Sequence, residues 1–441
     1  MASGKAACMS DPITPSCPMK NGLDKFSALL DERLIANLNS CVNCTLCAES
    51  CHYFLATGDK RYIPGRKAGQ LSAIYKRYHT ITGHVVPWLV GAKELSAEKI
   101  GELKDSFFGS CTMCGRCAMH CSIGVDIPLI VRTGRSMLNE LDLVPKGLQS
   151  TVDIAMKSGN NMGIPHQEIV DTLVWLEEDL RMEVNDDTAS IPLDKKGTKV
   201  LYTLNPREPK FFPLSISAMA KIYYAAKESW TISTNAYDVT NYAYFSGDND
   251  GAGELARRLY DEAIRLESDT LVLAECGHGF RAMRWEGPRW LKKAFPFNVK
   301  SVIEVLAEYI RDGRIHTDPS KNTKRVTLHD PCNLVRNGGI IDEQRFVLKA
   351  ACSDFAEMTP NRENNYCCGG GGGQLAMDEY KERRIIAGKI KAEQIRKTGA
   401  KIVATPCHNC IDQISELNRE YKLGIEVKTV AELVADALVI G

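Results

Sequence analysis

The chain has 441 residues, of which 44% are hydrophobic and 25% are charged, the balance of a soluble globular protein with two or three domains. The 55 basic residues match 55 acidic ones, so no net charge indicates a nucleic-acid partner or an anionic membrane surface. The unusual feature is the number of cysteines, which is 17.

Residues 1–35 are predicted to be an N-terminal extension. They lack the apolar core of a secretory signal peptide, and no window of the sequence has the roughly 18 to 20 apolar residues of a membrane span. We therefore expect a cytoplasmic protein, where a reducing environment favours cysteines as metal ligands over disulfides. Three isolated cysteines are expected to be buried or disordered thiols without a chemical role: Cys8, Cys17 and Cys352.

Residues 36–145 contain two cysteine quartets with the spacing C-x2-C-x2-C-x3-C. The spacing is typical of two-cluster ferredoxins, in which three thiolates bind one [4Fe–4S] cubane and the fourth binds the other. The sequence predicts that one cluster is held by Cys41, Cys44, Cys47 and Cys121. It predicts that the other cluster is held by Cys111, Cys114, Cys117 and Cys51. His52 and Ser122 stand where a proline often follows the fourth cysteine, which changes local geometry and not the number of ligands.

Zinc is the alternative metal for these quartets, but zinc sites usually take their cysteines as two separated pairs. The haem attachment motif C-x-x-C-H does not occur. Two helix-like stretches separate the quartets, which predicts a helical ferredoxin-like domain larger than the minimal kind. Its apolar segment HVVPWLVG, residues 84–91, is expected to lie in the core, and a contact with a partner is the alternative.

Residues 146–198 are predicted to be a helical linker, after which short β-rich runs alternate with helical periods. This pattern occurs twice, as a degenerate repeat over 199–315 and an intact repeat over 316–441. LYTLNP aligns with VTLHDP, YFSGDNDG with YCCGGGGG, and LVLAECGHGF with IVATPCHNCI. The predicted fold class is α+β, a helical two-cluster ferredoxin-like domain followed by two α/β repeats.

The intact repeat carries five cysteines at predicted strand-to-loop ends, where a doubly wound sheet places its ligand sites. These residues are Cys332, Cys367, Cys368, Cys407 and Cys410. At the matching places the degenerate repeat has Arg207, Phe245, Ser246, Cys276 and Gly279. Because one cysteine of five remains, this repeat is not expected to hold a similar cluster by itself.

Two adjacent cysteines followed by five glycines suit an iron–sulfur cluster of unusual shape or the edge of a cluster. Glycine permits positive φ and a close approach of the backbone, and its N–H group stabilises negative charge. Gly369, Gly370 and Gly371 are therefore expected to contact the cofactor. A flexible linker is the alternative, whereas a nucleotide loop is disfavoured because G-x4-G-K-[ST] is absent.

The order C-x34-CCG-x37-C-x-x-C, after a degraded copy and two ferredoxin quartets, resembles the CCG-domain proteins, the D-type subunit of heterodisulfide reductase and its relatives. The segments WTISTNAYDVTNYAYFSGD and ECGHG look most like iron–sulfur proteins of sulfate-reducer membrane complexes: the B-type subunit of the Tmc complex, the F-type subunit of the Hmc complex and the K-type subunit of the Dsr complex. The resemblance implies a special [4Fe–4S] or noncubane cluster on the five cysteines of the intact repeat, which would form the catalytic centre. Cys276 is either a further catalytic residue or a structural thiol. His278, His329 and His408 are expected to be hydrogen-bonding neighbours.

The resemblance implies an electron-transfer subunit on the inner face of a membrane, attached through a partner subunit. Two cubanes would link a membrane cytochrome b and menaquinone partner to the CCG cluster, with a periplasmic multihaem cytochrome c in the same complex. The setting would be anaerobic respiration such as sulfate reduction. One alternative is a catalytic subunit that acts on a small disulfide, persulfide or thiol at the CCG cluster. Another is the iron–sulfur subunit of a flavin-dependent glycolate or glycerol-3-phosphate dehydrogenase.

Overall fold

The computed structural model describes residues 17–440, so residues 1–16 of the predicted extension, which include Cys8, lie outside it. The amino-terminal part of this range is helical. Its α-helices are α1 (Cys17–Ala28), α2 (Glu32–Ser40), α3 (His52–Thr57), α4 (Pro64–His79), α5 (Ile81–Val85), α6 (Pro87–Val90), α7 (Ala97–Phe107), α8 (Arg116–Met119) and α9 (Ile127–Glu140).

Helix α9 lies at the centre of this helical part. It begins where the Asp126 carboxylate accepts the Leu129 N–H at 3.0 Å, an N-cap that satisfies a free donor of the first turn. Helices α1, α4 and α7 pack against it, and Phe26 of α1 is fully buried there. Residues 17–35 of the predicted extension therefore pack as helices on the core, while the domain boundaries themselves stay predictions.

The two repeats each contain a four-stranded parallel sheet. The helices from the segment before them onwards are α10 (Lys146–Ser158), α11 (His166–Val184), α12 (Arg207–Phe211), α13 (Pro213–Ala225), α14 (Ala243–Ser246), α15 (Asn249–Arg265), α16 (Gly277–Arg281), α17 (Gly287–Leu291), α18 (Val302–Arg311), α19 (Glu343–Ala351), α20 (Lys381–Thr398), α21 (His408–Tyr421) and α22 (Val430–Ala437). The strands are β1 (Val200–Tyr202), β2 (Trp230–Ile232), β3 (Thr270–Leu273), β4 (Asn298–Ser301), β5 (His316–Thr317), β6 (Val326–Leu328), β7 (Phe355–Ala356), β8 (Ile402–Ala404), β9 (Glu426–Lys428) and β10 (Leu438–Val439).

The two sheets have equivalent strand orders, β2-β1-β3-β4 and β7-β6-β8-β9. Strands β1 and β3 are neighbours in the first sheet, as β6 and β8 are in the second, so each sheet reverses its strand order between these two central strands. Strands β5 and β10 form a separate antiparallel pair. The helical part followed by two equivalent α/β units confirms the predicted fold class.

The predicted linker contains α10 and α11, and the two helices pack in different hydrophobic cores. Leu148 and Val152 of α10 are buried in the core of the helical part. Leu173 and Leu176 of α11 are buried in the core of the repeats. The segment therefore connects the two hydrophobic cores by contributing side chains to both.

The prediction that HVVPWLVG lies in the core is wrong. Trp88 is 79% exposed and Leu89 is 75% exposed, on the short helix α6 that follows α5. Apolar composition alone did not distinguish this exposed tip from a core segment. Within residues 17–440 no helix is both long and apolar enough to cross a membrane.

One buried side chain joins the helical part to both repeats. The guanidinium of Arg135, on α9, donates to the carbonyls of Phe107, Cys111, Phe245 and Gly372 at distances from 2.7 to 3.1 Å. Burial lowers the pKa of Arg135 to about 10, which leaves it protonated at neutral pH. The arginine thus fixes the second quartet, the degenerate repeat and the glycine run against one another.

Replacing Arg135 by leucine is expected to lower the free energy of unfolding by at least about 4 kcal/mol, because several buried carbonyls lose their donor at about 1–3 kcal/mol each. Anaerobic urea unfolding followed by circular dichroism measures the change. Arg257→Leu is the control, since the Arg257 side chain is 55% exposed and pairs with Glu254 on the same helix. It should cost about 1 kcal/mol or less. Equal effects of the two substitutions would contradict the bridging role of Arg135.

Candidate metal centres

The first cysteine set lines a pocket between the loop after α2 and the turn after α8. The loop curves tightly because Asn43 and Thr45 have φ of 55° and 66°, in the left-handed region. The backbone N–H of Gly65 donates to Cys47 Sγ at 3.2 Å. The cysteines that line this pocket are Cys41, Cys44, Cys47, Cys117 and Cys121.

The second quartet repeats the loop geometry of the first. Met113 and Gly115 have φ of 55° and 81°, at the two positions that match Asn43 and Thr45. The pocket beside this loop also holds Lys67, whose buried Nζ donates to the Ser110 carbonyl at 2.7 Å. The cysteines that line the second pocket are Cys51, Cys111, Cys114 and Cys117.

The fourth cysteine of each quartet lies at the pocket of the other quartet. Cys51 is in the second pocket, and Cys121 is in the first. Cys117 lines both pockets, so the two sites are immediate neighbours. This crossed placement fits the predicted ligand sets. Binding of a metal by these cysteines stays a prediction.

The third cysteine set lies at the carboxyl ends of β6 and β8. In open α/β sheets a crevice forms there, at the point where the strand order reverses. Its five cysteines line one cavity together with Phe245, Gly277, His278 and His329. The Sγ atoms of Cys368 and Cys410 are 3.5 Å apart. All five are Cys332, Cys367, Cys368, Cys407 and Cys410.

The glycine run is a packed turn. Gly369 and Gly370 donate their backbone N–H groups to Cys367 Sγ and Cys368 Sγ, each at 3.4 Å. Gly372 has φ of 66°, and a Cβ there would lie 2.7 Å from backbone atoms of Thr112. Gly371 lines the cavity. The run therefore supplies donors to the thiols and a close fit to the second quartet, which a flexible linker would not do.

The degenerate repeat covers the third cysteine set. Phe245 and His278 line its cavity, Arg207 forms an ion pair with Asp412 of α21, and Ser246 is buried and donates to Ala243 O. A Cβ on Gly279 would lie 2.2 Å from Val239 O, so this position serves packing. Side chains of other types thus fill the places where the intact repeat has cysteines.

Cys276 is buried beside the cavity and is not among the residues that line it. Its Sγ lies 3.4 Å from Nδ1 of His278. Burial raises the pKa of the Cys276 thiol well above its usual value and lowers the pKa of His278 to about 3. At neutral pH this is a pair of neutral groups and not a thiolate–imidazolium pair.

The second and third cysteine sets are in contact. Cys114 of the second set packs against the buried group of side chains that includes Cys367. Arg336 of the intact repeat donates to the Cys114 carbonyl at 2.8 Å, and Arg116 donates to the Asn364 carbonyl at 2.9 Å. A cluster on the second set would thus adjoin a cluster on the third.

The donor sets fit iron–sulfur clusters. Burial raises the pKa of Cys117 well above its usual value, and it also raises the pKa of Cys51. Thiols at this depth ionise only when a cation compensates them, and a thiolate-bound iron supplies that charge. The donors are almost all sulfur, which favours iron–sulfur clusters or zinc over magnesium or calcium.

Sequence reasoning did not identify several buried polar residues near these sites. Lys391 of α20 is fully buried beside Asn365, and it shares a helix face with buried Ala387 and Ile395. The spacing of four residues between these three positions is the pattern in the sequence that could have indicated the burial of Lys391. Arg135 similarly lies between the buried residues Val131 and Leu138 of α9.

Comparison with known families identifies two domains in the chain. The 4Fe-4S dicluster domain matches residues 37–125, which contain both quartets. The cysteine-rich CCG domain matches residues 326–415, the intact repeat. These matches confirm iron–sulfur clusters as the cofactors.

The chain is also similar to named proteins over most of its length. It is 28% identical to the Hdr-like menaquinol oxidoreductase iron-sulfur subunit 2 of Archaeoglobus fulgidus, over 91% of this chain and 80% of that protein. It is 29% identical to the D-type subunit of the dihydromethanophenazine:CoB--CoM heterodisulfide reductase of Methanosarcina barkeri, over 96% of this chain and 98% of that protein. It is 23% identical to the EtfAB:quinone oxidoreductase of Syntrophomonas wolfei, over 87% of this chain and 55% of that longer protein.

These similarities confirm the predicted resemblance to the D-type CCG proteins. They also confirm an oxidoreductase subunit that transfers electrons through iron–sulfur clusters. The finer likeness to the proteins of the Tmc, Hmc and Dsr complexes stays a prediction.

The crossed placement predicts which substitutions alter the same cluster. Cys121→Ser and Cys44→Ser should change one signal in the electron paramagnetic resonance spectrum of the reduced protein, because both thiolates would bind the first cubane. Cys51→Ser and Cys114→Ser should change a different signal. Cys352→Ser is the control, a buried thiol outside all three sets, and it should leave both signals intact. If Cys121→Ser altered the signal that Cys114→Ser alters, the crossed assignment would be wrong.

Proposed function

We propose that this chain is the cytoplasmic iron–sulfur subunit of a membrane-bound redox complex. Its two cubanes would pass electrons between an integral cytochrome b and menaquinone partner and the cluster of the CCG cysteines. A periplasmic multihaem cytochrome c would belong to the same complex. Attachment to the inner face of the membrane would be through the partner subunit.

The observation that carries this proposal is the continuity of the three cysteine sets. The first set includes the exposed Cys44, Cys117 lines the pockets of both the first and the second set, and Cys114 of the second set packs against the third set. Electron transfer needs neighbouring centres with one end open to a partner. The arrangement meets both needs.

An apolar surface surrounds the open end of this path. Val42 is 75% exposed, and Leu46 and Ile123 are also exposed around the pocket of the first set. Contiguous exposed apolar side chains rimmed by polar ones are typical of protein contact surfaces. This surface supports electron exchange with a partner at the first cubane.

A second apolar surface supports attachment to a membrane subunit. Ile81, Val85, Trp88 and Leu89 form an exposed tip on helices α5 and α6. The tip is held in place, since Arg77 donates to the Gly83 carbonyl at 3.2 Å and Lys76 donates to the Val90 carbonyl at 3.3 Å. Ordered apolar side chains are more stable in a groove of a partner protein than in contact with water.

The names of relatives support a quinone-linked role, since two of them are Hdr-like menaquinol oxidoreductase iron-sulfur subunits. The relatives named as D-type subunits of heterodisulfide reductase favour the second candidate, a site that reduces a small disulfide. In that reaction the disulfide takes up two electrons and two protons and gives two thiols. Five cysteines in the third set exceed the four that a relay cubane uses, which fits a site where one sulfur position changes.

Replacing Trp88 and Leu89 by serine together should release the chain from the membrane fraction of its native host. The substitution removes the apolar contact without touching a cysteine set. Met182→Ser is the matched control, because Met182 is also 75% exposed but lies on α11. Immunoblots of washed membranes measure the attached fraction. Equal retention of both variants would show that the tip does not attach the chain.

Disulfide chemistry predicts a substrate-dependent change at the third cluster. Low-molecular-weight disulfides and thiols would be added to the anaerobic oxidised protein while its paramagnetic resonance spectrum is recorded. For a catalytic site we expect a new signal, and a signal at least tenfold weaker in Cys276→Ala would make this buried thiol part of the reaction. The control Cys352→Ala should retain it. If no disulfide changes the spectrum while the complex still oxidises quinol, the third cluster acts only as an electron relay.

A further inference from the structure

Three fully buried polar side chains form a chain that ends at the CCG cavity. The ammonium of Lys391 donates to Asn365 Oδ1 at 2.6 Å. The Asn365 amide nitrogen lies 3.2 Å from His329 Nδ1 and 2.9 Å from the Asp330 carbonyl. His329 lines the cavity of the five cysteines.

The partners of Asn365 fix its orientation. A lysine ammonium only donates hydrogen bonds, so the atom that faces it must be the amide oxygen. A backbone carbonyl only accepts, so the atom that faces Asp330 O must be the NH2 group. Both neighbours require the same orientation, which presents an N–H donor to His329.

The tautomer of His329 follows from this orientation. Because Asn365 donates to Nδ1, that nitrogen must accept, and the proton of the neutral ring is on Nε2. The imidazole therefore has an N–H group on the side away from Asn365.

One ring nitrogen of His329 lies within 4.8 Å of both Cys368 Sγ and Cys410 Sγ. That distance would by itself permit His329 to bind a metal with the two cysteines. Binding a metal requires a lone pair on the nitrogen that faces the cavity. Because Asn365 engages the lone pair of Nδ1, the ring nitrogen that is left for a partner in the cavity is Nε2, and it carries the proton.

We propose that His329 is a positioning residue that donates Nε2–H to a sulfur atom of the CCG cluster and is not a ligand to its iron. Lys391 and Asn365 act through it by fixing its tautomer. A hydrogen bond to a cluster sulfur stabilises the more negative, reduced state and raises the reduction potential. This role rests on the CCG cluster of the proposed function but needs neither the membrane partner nor a sulfur substrate.

The first experiment is a redox titration of the full, anaerobically purified chain, followed by paramagnetic resonance at the third cluster. His329→Ala should keep about twelve irons, three four-iron clusters, and lower the potential of this cluster alone. We expect about a tenfold change in the ratio of reduced to oxidised cluster at fixed potential, which is 59 mV for one electron. His329→Gln, which offers an amide N–H, should restore part of the shift.

The second experiment changes the tautomer without removing the ring. In Asn365→Asp one carboxylate oxygen would accept from Lys391 and the other from the N–H of His329 Nδ1, while the hydrogen bond to the Asp330 carbonyl is lost. This arrangement leaves a lone pair on Nε2. The potential should again fall. Because the new charge could act directly, the shift is also measured in a His329→Ala background, where it should be at least halved if it acts through the ring.

The spectra decide between the proposed role and its alternative. A weak nitrogen coupling in pulsed resonance, with an exchangeable proton coupling that His329→Ala removes, would support a hydrogen bond. A strong coupling of directly bound nitrogen, or loss of iron from the third site in His329→Ala, would overturn the proposal and make His329 a ligand. An unchanged potential in both His329→Ala and Asn365→Asp would also overturn it. None of these outcomes depends on membrane attachment or quinol turnover.

Discussion

The guanidinium of Arg135 is the interaction on which the arrangement of the three cysteine sets depends. It donates to Phe107 and Cys111 at the start of the second quartet, to Phe245 of the degenerate repeat and to Gly372 of the glycine run. A planar group with five donors in fixed directions holds these carbonyls at defined separations, which a lysine would not do. The packing of Cys114 against the third set lies within the same junction. The neighbouring positions of two proposed clusters thus depend on one side chain outside both.

The degenerate repeat retains the sheet of the intact repeat and has a different task. Its strand order is the same, yet the places of four of the five cysteines hold arginine, phenylalanine, serine and glycine. Phe245 and His278 line the cavity of the intact repeat, and Arg207 pairs with Asp412 beside it. The degenerate repeat thus supplies a cover for this cavity, which would limit the access of water to a cluster on the five cysteines.

The cysteine sets and the central strands were predictable because both follow from short-range patterns. C-x2-C-x2-C-x3-C spacing and alternating strand and helix periods are local, and the repeat aligns VTLHDP with LYTLNP directly. The buried positions of Arg135 and Lys391 depend on three-dimensional packing of helices whose composition is mixed, so local patterns did not reveal them. The prediction for the tip at Trp88 was wrong because an exposed apolar segment can have the same composition as a segment of the core. The orientation of His329 depends on Asn365 and Lys391, which are distant in sequence.

The buried cations near the cysteine sets have neutral acceptors. Arg135 donates to backbone carbonyls, Lys67 to Ser110 O and Lys391 to the Asn365 amide. Each lies near thiols of the second or third set. A buried charge without a counter-charge costs several kcal/mol, whereas clusters bound by thiolates carry net negative charge. Clusters on these cysteine sets would therefore contribute counter-charge to these residues, and cluster binding would be coupled to folding through the ligand bonds and through the cations.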